Sequence, residues 1–463
     1  MIQIDHSLTP AALLPAIDRL FELSGQKIRS LQADWNPAEG TPVFTVRGRY
    51  TSRGWTEWTQ GFQFGSALLQ FDATGDEHFL ELGRSGTLRF MASHVSHVGV
   101  HDHGFNNVST YGNLLRLMSE GRIPENFWER SFYELALKLS GAVQAARWTD
   151  LGGDQGYIHS FNGPHSLFSD TIRSLRSLAL GHQLGHALMG ERDSKISLLH
   201  RLLKHAETTA RYNVYFGEGR DAYDVRGRVA HESIFNLKDG SYRCPSTQQG
   251  YSPFSTWTRG LSWILCGYAE ELEFLATLAE EELAAYGGKE KVVSEFRRVA
   301  EAVADYYLEN TPTDGVPYWD TAAPGLARMG DYLNRPAEPH NDFEPVDSSA
   351  GLISAQGLLR LGRFLIEQGS PVQGKRYFQA GLTVTKTLFH PGYLSETPDH
   401  QGLILHSVYH RPNGWDYIPP GKQIPQGEAT MWGDYHAREL ALLVGRMAKG
   451  QPYYRFFVTT PPA

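Results

Sequence analysis

Cysteine is scarce in this chain, and long hydrophobic runs and clusters of basic residues are missing. The only cysteines among 463 residues are Cys244 and Cys266, which are too few for a disulfide framework. No apolar run approaches the roughly 18 residues of a membrane helix, and the polar start, 1–10, lacks the apolar segment of a signal peptide. The net charge of -8 comes without a Lys/Arg-rich stretch, which disfavours nucleic-acid or membrane-surface binding. We therefore expect a cytoplasmic protein with neither kind of partner.

Aromatic residues are abundant by contrast. They make up 12% of the chain and include 22 tyrosines and 10 tryptophans. Such a content fits a carbohydrate-binding site, because sugar rings stack on aromatic faces. An aromatic-rich helical core is the alternative interpretation.

Helical periodicity recurs along the whole chain and predicts an all-α protein. Apolar residues return every three or four positions in about twelve segments, which are separated by loops rich in Gly, Pro and Asp. Helices of similar length without a linker predict one (α/α)6 barrel over residues 1–463, with six helical hairpins in two concentric rings. Minor β pairs are expected near 42–49 and 403–409. The predicted helices are 11–34, 61–74, 77–92, 104–119, 125–146, 167–189, 194–212, 256–276, 292–310, 348–368, 372–388 and 433–448.

The segment 247–269 combines polar and aromatic residues where a loop leads into a helix. Arg259 and Trp263 are four residues apart and therefore share one face of that helix, and Gln249 and Trp257 lie just upstream. An amide, a guanidinium and two indoles suit a sugar acid, because sugar rings stack on indoles and the arginine fork binds a carboxylate. The alternative interpretation is a buried helix start whose polar groups are satisfied internally.

Two groups of histidines invite comparison with metal sites. His182 and His186 have the spacing of a zinc-protease motif, but Gln183 stands where that motif needs glutamate as the general base. A neutral amide cannot take the proton from a metal-bound water, which argues against zinc proteolysis. The second group spans a loop-to-helix junction flanked by Ser, Asn and Gly, which favours hydrogen-bonding histidines over metal ligands. Its members are His94, His97, His101 and His103.

Asp102 and Asp170 each stand at the start of an apolar helical segment. One interpretation makes each a helix N-cap, because aspartate accepts backbone N–H bonds there. The other places two carboxylates at the starts of different helices, facing the same opening of the ring. Paired carboxylates in an aromatic site are the usual groups of sugar acid–base chemistry. The sequence alone leaves both interpretations open.

Six short motifs occur in a fixed order along the chain. The first is His-Asp-His-Gly-Phe at 101–105. The second covers 247–263, which begins with Thr-Gln-Gln-Gly-Tyr and ends with Trp-Thr-Arg-Gly-Leu-Ser-Trp. The others are at 316–320, 347–350, 402–406 and 432–435. Together they resemble the blocks of the unsaturated glucuronyl hydrolases, glycoside hydrolase family 88, and of the related unsaturated rhamnogalacturonyl hydrolases. The resemblance extends from Trp58 to Leu443, and six ordered motifs are far more specific than any one of them.

The resemblance implies an (α/α)6 barrel and neither a metal nor an organic cofactor. It also implies a substrate, namely oligosaccharides left by polysaccharide lyases, which end in a 4,5-unsaturated uronic acid. In this family a general acid protonates C4 of the sugar, and water adds at C5. The resulting hemiketal opens and releases the remaining sugar, so no carboxylate nucleophile is needed.

Residue roles follow from the same resemblance. Asp170 is similar to the family's acid/base, and Asp102 is similar to the partner that tunes it. Two nearby carboxylates push one pKa upward, which keeps an acid protonated near neutral pH. The other implied contacts are His231 and Gln249 at the uronate ring, Arg259, Trp263 and Trp257 at the neighbouring sugar, and Phe161 and Tyr409 as further substrate-binding residues.

The chain also departs from the family's pattern. Gln63 stands where tryptophan is usual, and the run 173–178 replaces an Asn-Leu-Pro-Leu-like run after Asp170. An insertion at 217–227 and a long loop at 329–345 are expected to affect substrate choice. The sequence does not identify the linked sugar, its sulfation or the oligomeric state.

Two other classes of function remain open. One is another (α/α)6 carbohydrate enzyme, such as a sugar epimerase or an ordinary glycosidase. The other is a non-catalytic sugar-binding protein, in which Asp102 and Asp170 only cap helices. Loss of the ultraviolet absorbance of the conjugated C=C–COO⁻ group separates the hydration reaction from both.

Overall fold

Sixteen α-helices and nine short strands occupy most of residues 1–458, the part of the chain that the computed structural model describes. The helices are α1 Leu14–Asp34, α2 Gln60–Thr74, α3 Glu77–Phe90, α4 Ala92–Val95, α5 His103–Asn107, α6 Asn113–Ser119, α7 Phe127–Ala146, α8 Thr171–Ser174, α9 Arg176–Gln183, α10 Leu198–Tyr212, α11 Thr258–Thr277, α12 Glu280–Leu283, α13 Lys289–Glu309, α14 Ser348–Glu367, α15 Pro371–Leu388 and α16 Met431–Ala448. The strands are β1 Thr41–Val46, β2 Arg49–Arg53, β3 Trp148–Gly152, β4 Gln155–Ile158, β5 Ser166–Phe168, β6 Ala187–Met189, β7 Lys195–Ser197, β8 Glu232–Phe235 and β9 Tyr242–Ser246.

Six helical segments form an inner ring, and six more surround it. The inner segments are α2, α5 with α6, α8 with α9, α11, α14 and α16, and most of their residues are buried. Each contacts the next one along the chain, and α16 contacts α2, which closes the ring. The outer segments α1, α3, α7, α10, α13 and α15 bury only part of their surface. The predicted (α/α)6 barrel is confirmed.

Residue spacing explains the difference between the two rings. In the outer helix α13, Phe296, Val299 and Val303 are buried at intervals of three and four residues, as expected for a helix with one apolar face. The inner helix α14 is buried on all sides and packs closely on α15 through glycine. A Cβ added to Gly362 would lie 2.7 Å from the carbonyl oxygen of Gly374, so glycine permits this approach.

Charged residues are also buried inside the ring, at the run that departs from the family's pattern. Nε of Arg173 lies 2.6 Å from a carboxylate oxygen of Glu270 on α11, and its Nη2 lies 3.0 Å from Glu439 on α16. All three side chains are at most 2% exposed. Charges buried this deeply require partners. The arginine that begins this run is therefore matched by acidic residues on two neighbouring inner helices.

The strands form small antiparallel sheets outside the ring, and they correct two predictions. The predicted helix 167–189 is shorter, because its start lies in β5, which pairs with β8, and its end lies in β6. The predicted β pair at 403–409 reduces to one isolated bridge between Leu394 and Ile404. The pair near 42–49 is present as β1 and β2. None of the helices within residues 1–458 combines the length and apolar character needed to cross a membrane.

Candidate active site

The amino-terminal ends of several inner helices meet at one cavity of about 390 Å³. Helix N-termini carry partial positive charge, so this end of the ring favours carboxylates and acidic ligands. Eight of the nine site residues predicted from the sequence line the cavity: Asp102, Phe161, Asp170, Gln249, Trp257, Arg259, Trp263 and Tyr409. The ninth, His231, lies behind its wall.

The carboxyl groups of Asp102 and Asp170 meet at the imidazole of His101. Nε2 of His101 lies 3.1 Å from Oδ1 of Asp170 and 3.8 Å from Oδ1 of Asp102. Both aspartates occupy N-cap positions, but neither side chain accepts a hydrogen bond from the first turn of its helix. Helix capping therefore does not account for either carboxyl group.

Ser174 joins the two turns that carry the aspartates. Its hydroxyl accepts a hydrogen bond from the N–H of Gly104 at 2.8 Å and donates one to the carbonyl of His101 at 2.7 Å. The side-chain amide of Gln144 donates to the same carbonyl at 2.8 Å. Gly104 permits this packing, because a Cβ there would lie 2.1 Å from the carbonyl oxygen of Ser174. The glycine of the His-Asp-His-Gly-Phe motif thus lets α5 approach α8.

Burial and mutual charge set the ionisation of the three side chains. Burial raises the pKa of Asp102, and the carboxylate of Asp170 adds to that rise against the effect of His101. Burial also acts to raise the pKa of Asp170, but the hydrogen bond and charge of His101 outweigh it and leave this pKa lowered. Burial would lower the pKa of His101, yet Asp102 and Asp170 together raise it. The free protein therefore favours a protonated His101 beside an ionised Asp170. The sequence predicts that Asp170 is the acid, but the carboxyl group with the raised pKa is that of Asp102.

Arg259 lines the cavity, but its terminal nitrogens are already engaged. Nη1 lies 2.7 Å from the carboxylate of Asp347 and donates to the carbonyl of Val408 at 2.5 Å. Nη2 donates to the side-chain oxygen of Gln249 at 2.9 Å and to the carbonyl of Tyr409 at 2.8 Å. The guanidinium therefore braces three loops, and the expectation that its fork holds a sugar carboxylate does not fit this geometry.

His231 supports the loop that carries Gln249. Its Nδ1 accepts hydrogen bonds from the backbone N–H groups of Gln248 at 3.1 Å and Gln249 at 3.3 Å. Its ring packs 4.6 Å from that of Trp257, and burial lowers its pKa to about 4. A neutral His231 thus positions the loop from behind. Because Arg259 holds the oxygen of the Gln249 amide, the NH₂ group of that amide is the end available to a ligand.

Aromatic side chains surround the carboxyl groups. Trp263 is 2% exposed and packs 4.8 Å from Phe105, so it belongs to the inner wall. Phe161 is 48% exposed at the mouth and lies nearly parallel to His101 at 6.1 Å. Tyr409 is largely buried, and its hydroxyl accepts a hydrogen bond from the indole N–H of Trp58 at 3.3 Å.

Several cavity residues were missed from the sequence. Trp58, Glu57, His410 and Trp415 all line the cavity, and burial raises the pKa of Glu57 and lowers that of His410 to about 4. Trp415 also stacks with Arg53, whose guanidinium carbon lies 4.1 Å from the ring centre. The run Trp-Thr-Gln-Gly-Phe at 58–62 was a usable signal for Trp58. The loop around Trp415 contains no comparable motif.

His182 and His103, one from each histidine group, bond to protein atoms. Helix α9 ends at Gln183, so His186 lies beyond it, and His182 pairs with Glu282 at 2.9 Å. His103 lies 3.1 Å from the Ser140 hydroxyl through one ring nitrogen and bonds a backbone carbonyl through the other. No group of three or more His, Cys, Asp and Glu side chains within residues 1–458 has an arrangement that could hold a metal ion. Metal independence itself stays a prediction.

An (α/α)6 barrel with paired carboxyl groups in an aromatic cavity is an architecture of glycoside hydrolases. The chain is 27% identical to the unsaturated glucuronyl hydrolase of Bacillus sp. strain GL1 over 415 residues, which covers 88% of this chain and 91% of that protein. It is 24% identical to an unsaturated glucuronyl hydrolase of Formosa agariphila, with 83% and 78% covered. A solved structure of a variant of such an enzyme, named with dGlcA-Glc-Rha-Glc, has a TM-score of 0.69 at 23% identity and covers 95% of this chain and 97% of its own.

No family model matches the chain. The similarity to the two relatives extends over most of both chains, and the shared fold agrees with it. The chain is therefore similar to the unsaturated glucuronyl hydrolases over most of its length.

Proposed function

We propose that this protein removes a 4,5-unsaturated uronic acid from the non-reducing end of oligosaccharides produced by polysaccharide lyases. The observation that carries the proposal is the group formed by Asp102, His101 and Asp170 within an aromatic cavity. The names of the relatives support the substrate class. The cavity of about 390 Å³ has room for a small sugar unit.

The reaction requires a proton donor and a water molecule rather than a carboxylate nucleophile. Protonation of C4 converts the C4=C5 double bond into a C4–H bond and leaves positive charge at C5, which the ring oxygen shares. Water then adds at C5 and gives up a proton to the deprotonated catalyst. The resulting hemiketal opens by cleavage of its bond between C5 and the ring oxygen. The new hemiacetal at C1 then expels the linked sugar.

Asp170 is the acid/base in this proposal, and Asp102 is its partner. Asp170 precedes α8, and Asp102, whose pKa is raised by burial, lies near the same imidazole. Gln249 and the aromatic walls orient the ring, and Phe161 at the mouth suits stacking with the next sugar. His231 acts from behind by holding the loop of Gln249.

Ultraviolet absorbance tests the proposal directly. The protein is incubated with unsaturated disaccharides from a polysaccharide lyase, and loss of the C=C–COO⁻ absorbance is followed. We expect loss with the wild type and with Asp18→Asn, a control at an exposed surface carboxylate, and little with Asp170→Asn. Unchanged absorbance with the wild type, or formation of an epimerised sugar, contradicts the proposal.

Further properties belong to the same proposal. We propose one catalytic domain, a cytoplasmic location, and no nucleic-acid or membrane partner. Cell fractionation tests the location, and limited proteolysis that leaves one stable fragment tests the domain organisation. Sedimentation analysis decides between a monomer and a homo-oligomer.

A further inference from the structure

His101 contacts both carboxyl groups of the site and is itself 1% exposed. Its Nε2 lies 3.1 Å from Asp170, which is hydrogen-bonding distance. Ser174 and Gln144 hold its backbone carbonyl, so the main chain that carries the ring is fixed. The imidazole is thus held in place beside the proposed acid.

The surroundings of His101 contain both signs of charge. Asp102 and Asp170 stabilise the imidazolium, whereas Arg147 at the end of α7 opposes it. Two further histidines face it from other elements, His159 after β4 and His205 on α10, and burial lowers the pKa of each to about 4 or below. His231 behind Asp170 is also neutral in the free protein. His101 is therefore the protonated imidazole in a neighbourhood of neutral ones.

We infer that His101 stores the proton that Asp170 delivers to C4 of the substrate. This rests on the proposed function. In the free enzyme the proton resides on Nε2 of His101, and Asp170 is ionised. When substrate binds, this proton moves along the hydrogen bond to Oδ1 of Asp170 and leaves His101 neutral. Asp170 then transfers the proton to C4. Addition of water at C5 releases one proton to Asp170, and its return to Nε2 restores the starting state.

Substrate charge drives the first transfer. The carboxylate of the unsaturated sugar is attached to C5, next to the carbon that Asp170 protonates. In the proposed complex this carboxylate therefore lies closer to Asp170, which is 9% exposed, than to His101, which is 1% exposed. Like charges in a low-dielectric cavity repel strongly, so binding disfavours the ionised form of Asp170. The acid becomes protonated when substrate is present.

A pH profile distinguishes proton storage from a structural role. Glutamine can hydrogen bond to Asp170 but cannot hold a proton, so His101→Gln leaves the carboxyl group to retain it alone. Carboxyl groups lose protons at lower pH than imidazole, and the alkaline limb of kcat/KM should shift downward by roughly one unit or more. His78→Gln, at an exposed histidine of α3, should keep the wild-type profile. A uniformly slower His101→Gln enzyme with an unshifted alkaline limb overturns the inference.

Nitrogen-15 NMR of labelled histidine keeps the test independent of turnover and of that variant's folding. In the free wild type, the His101 ring, assigned by its loss in His101→Asn or His101→Gln, should remain protonated above the ordinary histidine pKa of about 6.5. Methyl β-D-glucuronide, a uronate that cannot be hydrated, should shift the ring toward its neutral form. A ring that is neutral in the free enzyme, or one that stays protonated in the complex, overturns the inference. Failure of the absorbance assay alone would instead contradict the proposed function.

Discussion

The replacement Gly104→Ala tests how the two catalytic turns are joined. The added Cβ would lie 2.1 Å from the carbonyl oxygen of Ser174, whereas ordinary contacts begin near 3.4 Å. The obstacle is backbone, so rotation of a side chain cannot relieve it, and α5 must move from α8 by about 1 Å. Misplacement of this size costs about a hundredfold in rate, or about 2.7 kcal/mol. Overpacking should also lower the free energy of unfolding by about 1–3 kcal/mol.

The assay combines loss of unsaturated-uronide absorbance with denaturant unfolding. Gly445→Ala is the matched control, because Gly445 lies in α16 and a Cβ there meets only one atom, Cγ2 of Ile17 at 3.5 Å. Alanine is the better helix former, so this control should keep wild-type activity and gain up to about 1 kcal/mol of stability. Wild-type turnover and stability in Gly104→Ala would refute the reasoning that close packing of α5 on α8 positions Asp102 and Asp170.

Three further predictions concern the same cavity. Asp170→Asn should lose at least about a hundredfold in turnover while still binding substrate, because an amide cannot supply a proton, and Asp102→Asn should lose less. Wild-type rates in Asp170→Asn would move the acid role to Asp102. Arg259→Lys should lose kcat and about 1.5–3 kcal/mol of stability, because lysine cannot maintain the contacts that brace three loops. A change confined to KM would restore the view that Arg259 grips the sugar carboxylate. Activity should survive exhaustive chelation, and loss that added zinc reverses would revive the metal interpretation of the cluster at 94–103.

Most of the fold could be predicted because helix periodicity is a local property. Each of the twelve predicted segments overlaps one of the long helices or helix pairs of the barrel. The predicted start of the helix at 167–189 was wrong, because residues there form β5, which pairs with β8, a strand more than sixty residues away. Apolar spacing within the segment carries no information about that partner. The predicted pair at 403–409 failed because β-branched composition alone does not provide a neighbouring strand.

The candidate site was predictable as a group of residues but not as a network. Asp102 and Asp170 could be placed together because both start inner helices. The position of His101 between them depends on a contact across 69 residues of chain. The pairing of Arg259 with Asp347 across 88 residues likewise decides whether the arginine is available to a ligand. The motif therefore located Arg259 at the cavity, but it could not show that Asp347 already pairs with the guanidinium.

Closure of the inner ring between α2 and α16 has a consequence for biosynthesis. Nε of Arg438 on α16 donates to the hydroxyl of Ser24 on α1 at 2.7 Å, across 414 residues of chain. At a translation rate of about 5–20 residues per second, roughly 20–80 s separate the synthesis of these two residues. During that interval the apolar surfaces of α1 and α2 lack their last neighbour, and contacts between distant residues form slowly even afterwards. The nascent chain is therefore a strong candidate for chaperone binding, and shortening it before α16 should yield aggregation rather than a smaller folded barrel.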